Sequence, residues 1–268
     1  MHRSCRLYAI LFLMKSFSSI LRLAPIVFGL LLVSSASMAD EIRVAVASNF
    51  VGAMKVLASE FEDNTEYRVI LIPGSTGKHY AQIVNGAPFD LLFAADAKRP
   101  ELLDTKGLIE PNSRFTYAIG KLVLWSALEG AIDSDGEVIA GGDFRYLAIA
   151  NPKLAPYGMA AEEVIKAKGA WGTIQSKLVR GENIAQTYQF VDSGNAELGF
   201  VAYSQILKPS EAIKGSYWLV PENLYSPIEQ QAVLLKNNEA ARAFLVYVKS
   251  DEALEIIQSF GYGVRYVE

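Results

Sequence analysis

Two short stretches place small hydroxyls and free backbone N–H groups where strands give way to helices. Ile72-Pro73-Gly74-Ser75-Thr76-Gly77-Lys78-His79-Tyr80 reads as a loop that opens a helix, and Val46-Ala47-Ser48-Asn49-Phe50 as a similar opening upstream. The first N–H groups of a helix are unpaired and carry partial positive charge, so a helix start attracts anions. Two such openings in one chain suggest a single anion held between helix ends.

Other chemistries are poorly supported. A phosphate loop ending in Gly77-Lys78 would need glycine at 72 and Ser or Thr at 79, where the chain has Ile72 and His79. No Gly-x-Gly-x-x-Gly follows a strand, and no Gly-x-Ser-x-Gly elbow occurs. Beyond the leader described below, His79 is the only histidine, which rules out metal clusters built on His and Cys and leaves any serine–histidine–acid triad dependent on that one ring. No carboxylate pair is singled out by spacing. Enzyme chemistry stays open, but no motif calls for it.

The elements that must position these loops follow from hydrophobic period. Ile42, Val44 and Val46 make Glu41–Ala47 a buried strand, and Val51, Met54, Leu57, Ala58 and Phe61 give the next segment one buried helical face. Tyr67–Ile72 reads as a strand, followed by the Gly-Ser-Thr-Gly loop, a helix carrying Tyr80 and Ile83, and a third strand, Phe89–Ala94. Further strands are expected at Lys121–Ser126, Tyr146–Ala150, Gly199–Tyr203 and Gln230–Leu235, with helices at Met159–Lys168 and Ile184–Ser193. Ser250-Asp251-Glu252 opens a last helix that Gly261 closes. Repeated alternation of strand and helix predicts an α/β fold with a parallel sheet. The length suits one large domain or two lobes of ~110 residues.

Residues 1–39 read as a secretory signal peptide cut before Asp40: they hold Arg3, Arg6, Lys15 and Arg22, no acidic residue, apolar runs, and Ser37-Met38-Ala39 at the cleavage position. A start at Met14 would leave a leader of ordinary length. The run Leu23–Val33 falls short of the ~20 residues that span a bilayer. Cys5 is the only cysteine and lies in the leader, so the mature chain of 229 residues builds its core without disulfides. Losing the four leader cations takes the formal net charge from −4 to −8, which disfavours nucleic acid and anionic membrane as partners. An anion must then be held by local dipoles.

The order of the motifs carries a resemblance. Val-Ala-Val-Ala-Ser48-Asn49-Phe, Gly-Ser-Thr76-Gly, Gln82-Ile83-x-x-Gly86-Ala87-Pro88-Phe-Asp90 and Ala94-Ala95-Asp96 come in sequence. Asn151-Pro152…Pro156-Tyr157-Gly158, Leu198-Gly199-Phe200-Val201 and Phe260-Gly261-Tyr262 follow. Together they resemble the periplasmic molybdate-binding proteins of ABC importers, in the subgroup with Ser/Thr-Asn-Phe in the first ligand loop. The resemblance implies a two-lobed type II periplasmic binding protein fold with two crossover strands and the ligand in the cleft. It places lobe I at 40–118 plus 229–268 and lobe II at 119–228, with hinges near 118–122 and 228–232.

The resemblance also implies the ligand set. The hydroxyls fall on Ser48 and Thr76, which would touch the metal oxyanion through its oxygens. Asn49 would donate its N–H, and further backbone N–H groups fall on Tyr157 and Ile184. Ser75 and Gly77 of the same loop stand as further candidates. Some members place a ligand tyrosine just after the Leu-Gly-x-Val strand; here that position is Ala202, with Tyr203 next. Asp96 reads as a loop brace, and Lys78 and His79 as solvated side chains.

Molybdate or tungstate is a tetrahedral dianion with no proton to give, so a site of donors suits it. About seven hydrogen bonds are available, each worth roughly 1.5–3 kcal/mol when charge-assisted. The implied role is capture in the periplasm and delivery to an inner-membrane ABC permease by a monomer, with no cofactor and no chemical step. Other readings are a binding protein for another oxyanion such as sulfate, an enzyme on the same scaffold, or a protein-binding ectodomain. Ferric binding would favour tyrosine and carboxylate ligands.

Overall fold

A computed structural model describes residues 40–264; the leader assigned to residues 1–39 lies outside them. The first sheet contains β1 (Glu41–Ala47), β2 (Arg68–Gly74), β3 (Leu91–Ala94), β4 (Phe115–Gly120) and β10 (Ile228–Leu234), in the order β2-β1-β3-β10-β4. The second contains β5 (Leu122–Ser126), β6 (Leu147–Ala150), β7 (Leu178–Gly181), β8 (Leu198–Ala202) and β9 (Ser216–Leu219), in the order β7-β6-β8-β5-β9. β1 is parallel to β2 and β3, and β6 is parallel to β7 and β8. β10 runs antiparallel to β3 and β4, as β5 does to β8 and β9. Each antiparallel strand is the one that has just crossed from the other sheet. Lys121 alone separates β4 from β5.

Helices cover the faces. The first sheet carries α1 (Val51–Asp63), α2 (Thr76–Val84) and α3 (Lys98–Thr105), and later α9 (Glu239–Val248) and α10 (Asp251–Ser259). Between them in the chain come α4 (Val138–Gly141), α5 (Pro156–Ala167), α6 (Trp171–Ile174), α7 (Ile184–Asp192) and α8 (Tyr203–Ile206). Coverage on both faces explains why β3 and β6 are buried at every residue and read as unbroken apolar runs. Met54, Leu57 and Phe61 of α1 pack with Phe244 and Ile257 in the first core, as the apolar spacing requires. Removing a side chain such as Leu57 from that core would cost about 2–5 kcal/mol.

Several boundaries differ from the sequence reading by a residue or more, and three of them have a plain physical reason. α5 begins at Pro156 rather than Met159, because proline at the first helical position loses only an N–H with no intrahelical partner. β2 runs on through Pro73 to Gly74; it is an edge strand, where proline is tolerated. β8 ends at Ala202, so Tyr203 opens α8 instead of closing a strand. Gly261 has φ of 81°, the left-handed conformation expected after the last helix.

Candidate functional site

The carboxyl ends of β1, β2, β6 and β7 turn toward one another, which is where open parallel sheets bind ligands. Between them lies a small cavity. Ser48, Asn49, Ser75, Thr76, Tyr157 and Ile184 all line it, so strands far apart in sequence gather most of the expected residues. The remaining wall is Ala47, Gly74, Ala95, Ala155, Pro156 and Asn183, and no ionised side chain borders the cavity.

The hydroxyls are not equivalent. Ser48 donates its N–H to the Gly74 carbonyl at 2.9 Å, tying the two loops together, and its Oγ has no protein partner among the described residues. Thr76 Oγ1 accepts from the Ala95 N–H at 2.9 Å, which pins the start of α2 to the end of β3 and leaves the threonine proton to be donated. Ser75 precedes α2 at its N-cap position, yet its side chain makes no capping bond. Its Oγ is buried with no hydrogen-bond partner. An orphaned buried hydroxyl is costly unless something fills it.

The helix starts supply N–H groups. Asn183 caps α7, its side chain accepting from Ala185 and Gln186 at 3.0 Å each, while Thr187 donates its N–H to the Asn183 carbonyl. That leaves the Ile184 N–H as the unpaired donor of the first turn. In α5, Pro156 has no N–H and Gly158 and Met159 donate to the Ala155 carbonyl, which leaves Tyr157 unpaired. The N–H groups of Asn49 and Thr76 also lack protein acceptors among the described residues. Gly77 differs from expectation: its N–H donates to the Leu154 carbonyl across the cleft at 2.9 Å.

The lobes are closed on the cavity. Lys78 Nζ meets Glu182 Oε1 at 2.7 Å, and Arg99 Nη2 donates to the Lys153 carbonyl at 3.1 Å. Lys78 is therefore a cross-cleft ion-pair partner rather than a free cation. His79, expected in solvent, is buried under the first loop with Nε2 3.2 Å from the Val46 carbonyl. Burial lowers its pKa below the usual imidazole value, an effect that hydrogen bonds to Gln82 and Val46 oppose. Asp96 braces its loop as read, accepting the Arg99 N–H and pairing with the Arg99 guanidinium.

Behind the cavity lies a polar network with no counterpart in the sequence reading. Gln230 Oε1 accepts from Asn49 Nδ2 at 2.8 Å and from Tyr117 Oη at 3.0 Å, and Gln230 Nε2 donates to Tyr157 Oη at 3.2 Å. Tyr262 Oη and Ser204 Oγ both reach the Asn49 carbonyl, at 2.8 and 3.1 Å. Burial pushes the Tyr117, Tyr157 and Tyr262 hydroxyls well above the usual phenol range, so they stay protonated. Phe50 packs on Tyr117 and Tyr262, with ring centroids 4.6 and 5.3 Å apart, and holds the first loop from below.

Ala202 and Tyr203 are not brought to the cavity. The Ala202 N–H is taken by Gln205 Oε1 at 3.0 Å, and the Tyr203 ring lies 6.0 Å from that of Tyr217. The chain turns into α8 there, carrying the tyrosine away. Among the described residues no group of three or more His, Cys, Asp and Glu side chains could hold a metal ion.

Two α/β lobes of matching strand order, joined by crossovers and closed on a cavity of helix starts, define a two-lobed solute-binding protein of the type II periplasmic fold. The model of the bacterial extracellular solute-binding protein family matches residues 42–263. The molybdate-binding protein ModA of Azotobacter vinelandii is 49% identical over 243 residues, covering 90% of this chain and 96% of that protein. That of Rhodobacter capsulatus is 45% identical, covering 88% and 92%. The solved structure of the Azotobacter vinelandii periplasmic molybdate-binding protein superposes with a TM-score of 0.81 at 44% identity, over 84% of this chain and 99% of that one. The chain belongs to the ModA family of molybdate-binding proteins.

Proposed function

We propose that this protein captures molybdate or tungstate between its lobes in the periplasm, as a monomer, and delivers it to an ABC permease. The observation that carries the proposal is the donor-only cavity. Three hydroxyls, of Ser48, Ser75 and Thr76, and the N–H groups of Asn49, Thr76, Tyr157 and Ile184 surround it, with no carboxylate on the wall. A dianion without a proton satisfies such donors. Phosphate retains a proton near neutral pH and would need an acceptor. Sulfate is smaller and would leave donors stretched, so cavity size separates it from molybdate.

In this reading lobe I comprises 40–118 plus 229–268 and lobe II 119–228. The single residue between β4 and β5 and the entry into β10 at Ile228 support hinges at those crossings. Ser48, Asn49, Ser75 and Thr76 donate from lobe I, Tyr157 and Ile184 from lobe II, so only the closed form engages the whole set. Closure is then a population shift driven by the ion. Gly77 serves as a latch through Leu154 rather than as a ligand. No bond is made or broken.

Thermal unfolding of the desalted protein with molybdate, tungstate, sulfate or phosphate tests the proposal. Ligand at a hundred times its dissociation constant adds about 2.7 kcal/mol, roughly 5–10 °C for a chain of this size. A rise with molybdate or tungstate and none with phosphate is expected. A rise with sulfate alone would change the ligand, and no rise with any of the four would overturn the reading.

A further inference from the structure

Gln230 does not line the cavity, yet it touches both halves of it. It is fully buried, and a β-bulge between Gln230 and Gln231 interrupts the pairing of β10 with β4 there. Bulges re-aim side chains, and this one leaves two successive glutamines buried. Gln231 turns to Arg114 and Thr116. Gln230 instead reaches Asn49, in the first donor loop of lobe I, and Tyr157, in the first turn of α5 in lobe II. Gly120 leaves the room: a Cβ there would overlap Tyr157 Oη and come within 2.7 Å of Gln230 Nε2.

We propose that Gln230 is a positioning residue that fixes the spacing between the lobe I and lobe II donors and so sets the preference for a large oxyanion over a small one. This rests on the oxyanion reading above. One planar amide, with its oxygen on Asn49 and its nitrogen on Tyr157, acts as a spacer of set length between the two loops. A molybdate-sized ion meets donors at that spacing. A sulfate-sized ion needs the loops closer, and the amide resists. Without the amide, Asn49 Nδ2 and the Tyr157 hydroxyl lose their common partner, and the loops adjust to either ion. A buried polar network of this kind specifies a geometry at little net gain in stability.

Gln230→Met, Tyr157→Phe and the double variant test this by calorimetric titration with molybdate and with sulfate, alongside stopped-flow dissociation rates. Tyr157→Phe deletes only the hydroxyl that Gln230 holds and keeps the backbone N–H, so it carries the test alone if Gln230→Met fails to fold. Each single change is expected to weaken molybdate about tenfold, chiefly through faster dissociation, and to narrow the molybdate-to-sulfate preference. The double variant should be no worse than the poorer single one. An unchanged molybdate-to-sulfate ratio in both singles, with only a lower melting temperature, would make Gln230 a packing residue and overturn the inference alone. A wild-type protein that binds neither anion would overturn this inference together with the functional reading.

Discussion

Replacing Ser75 with alanine should move stability and affinity in opposite directions. The Ser75 hydroxyl is buried and has no partner, although it sits at the N-cap of α2 where a serine would ordinarily bond a helix N–H. Alanine therefore loses no cap. It also removes a hydroxyl whose unsatisfied burial costs about 1–3 kcal/mol. Taking the low end, the closed ligand-free form gains about 1 kcal/mol, so the variant's melting temperature should rise by up to about 2–4 °C over the wild type, and by less the more the open form, where water reaches residue 75, is populated. With an oxyanion bound the sign reverses, because the hydroxyl becomes a charge-assisted donor worth roughly 1.5–3 kcal/mol. That loss weakens molybdate about tenfold to a hundredfold. Differential scanning calorimetry on ligand-free protein and titration calorimetry with molybdate measure the two halves. A variant that is less stable without ligand would show that Ser75 has a structural partner. Unchanged affinity would show that its hydroxyl does not face the ion.

Thr76→Ala should behave differently, since it strands the buried Ala95 N–H that Thr76 Oγ1 now accepts; a loss of about 1–3 kcal/mol in urea unfolding should accompany weaker molybdate binding. Gly77→Ala would put a Cβ 2.9 Å from the Leu154 carbonyl oxygen and hold the cleft ajar; molybdate affinity should fall about tenfold or more, and small-angle scattering should show less compaction on adding the ion. The lowered pKa of His79 makes stability pH-dependent. The unfolded chain takes up a proton below its ordinary pKa of 6.5 while the folded chain does not, so stability is full above that pH and falls as pH drops toward the folded value. Urea unfolding between pH 7.5 and 5.5 should show this slope, and His79→Gln should flatten it.

The two hydroxyl loops are legible in local pattern, because Ser48 and Thr76 sit where an apolar strand meets a helix start and such junctions are written in adjacent residues, whereas Tyr157 and Ile184 enter only through the resemblance. The first strand, Glu41–Ala47, is found where its alternation placed it. What depended on distant partners was not readable. Nothing beside Ser75 or Thr76 shows which hydroxyl meets Ala95 and which is left unpaired. Lys78 and His79 looked solvated because Glu182 and the Val46 carbonyl are brought to them only by folding. The helices α3 and α9 went unread, the first because charged residues and Pro100 blur its period. The network through Gln230 has one sign in the sequence: two adjacent glutamines leading directly into the apolar run Ala232-Val233-Leu234 of one strand.

The claim that one oxyanion sits among the helix starts is tested most directly by molybdenum content. The protein is saturated with molybdate, passed through a desalting column, and assayed for molybdenum per chain, beside a Ser48→Ala/Ser75→Ala variant. One molybdenum per wild-type chain, released by tungstate but not by phosphate and largely absent from the variant, is the predicted result. Molybdenum absent from the wild type, or retained equally by the variant, would contradict it.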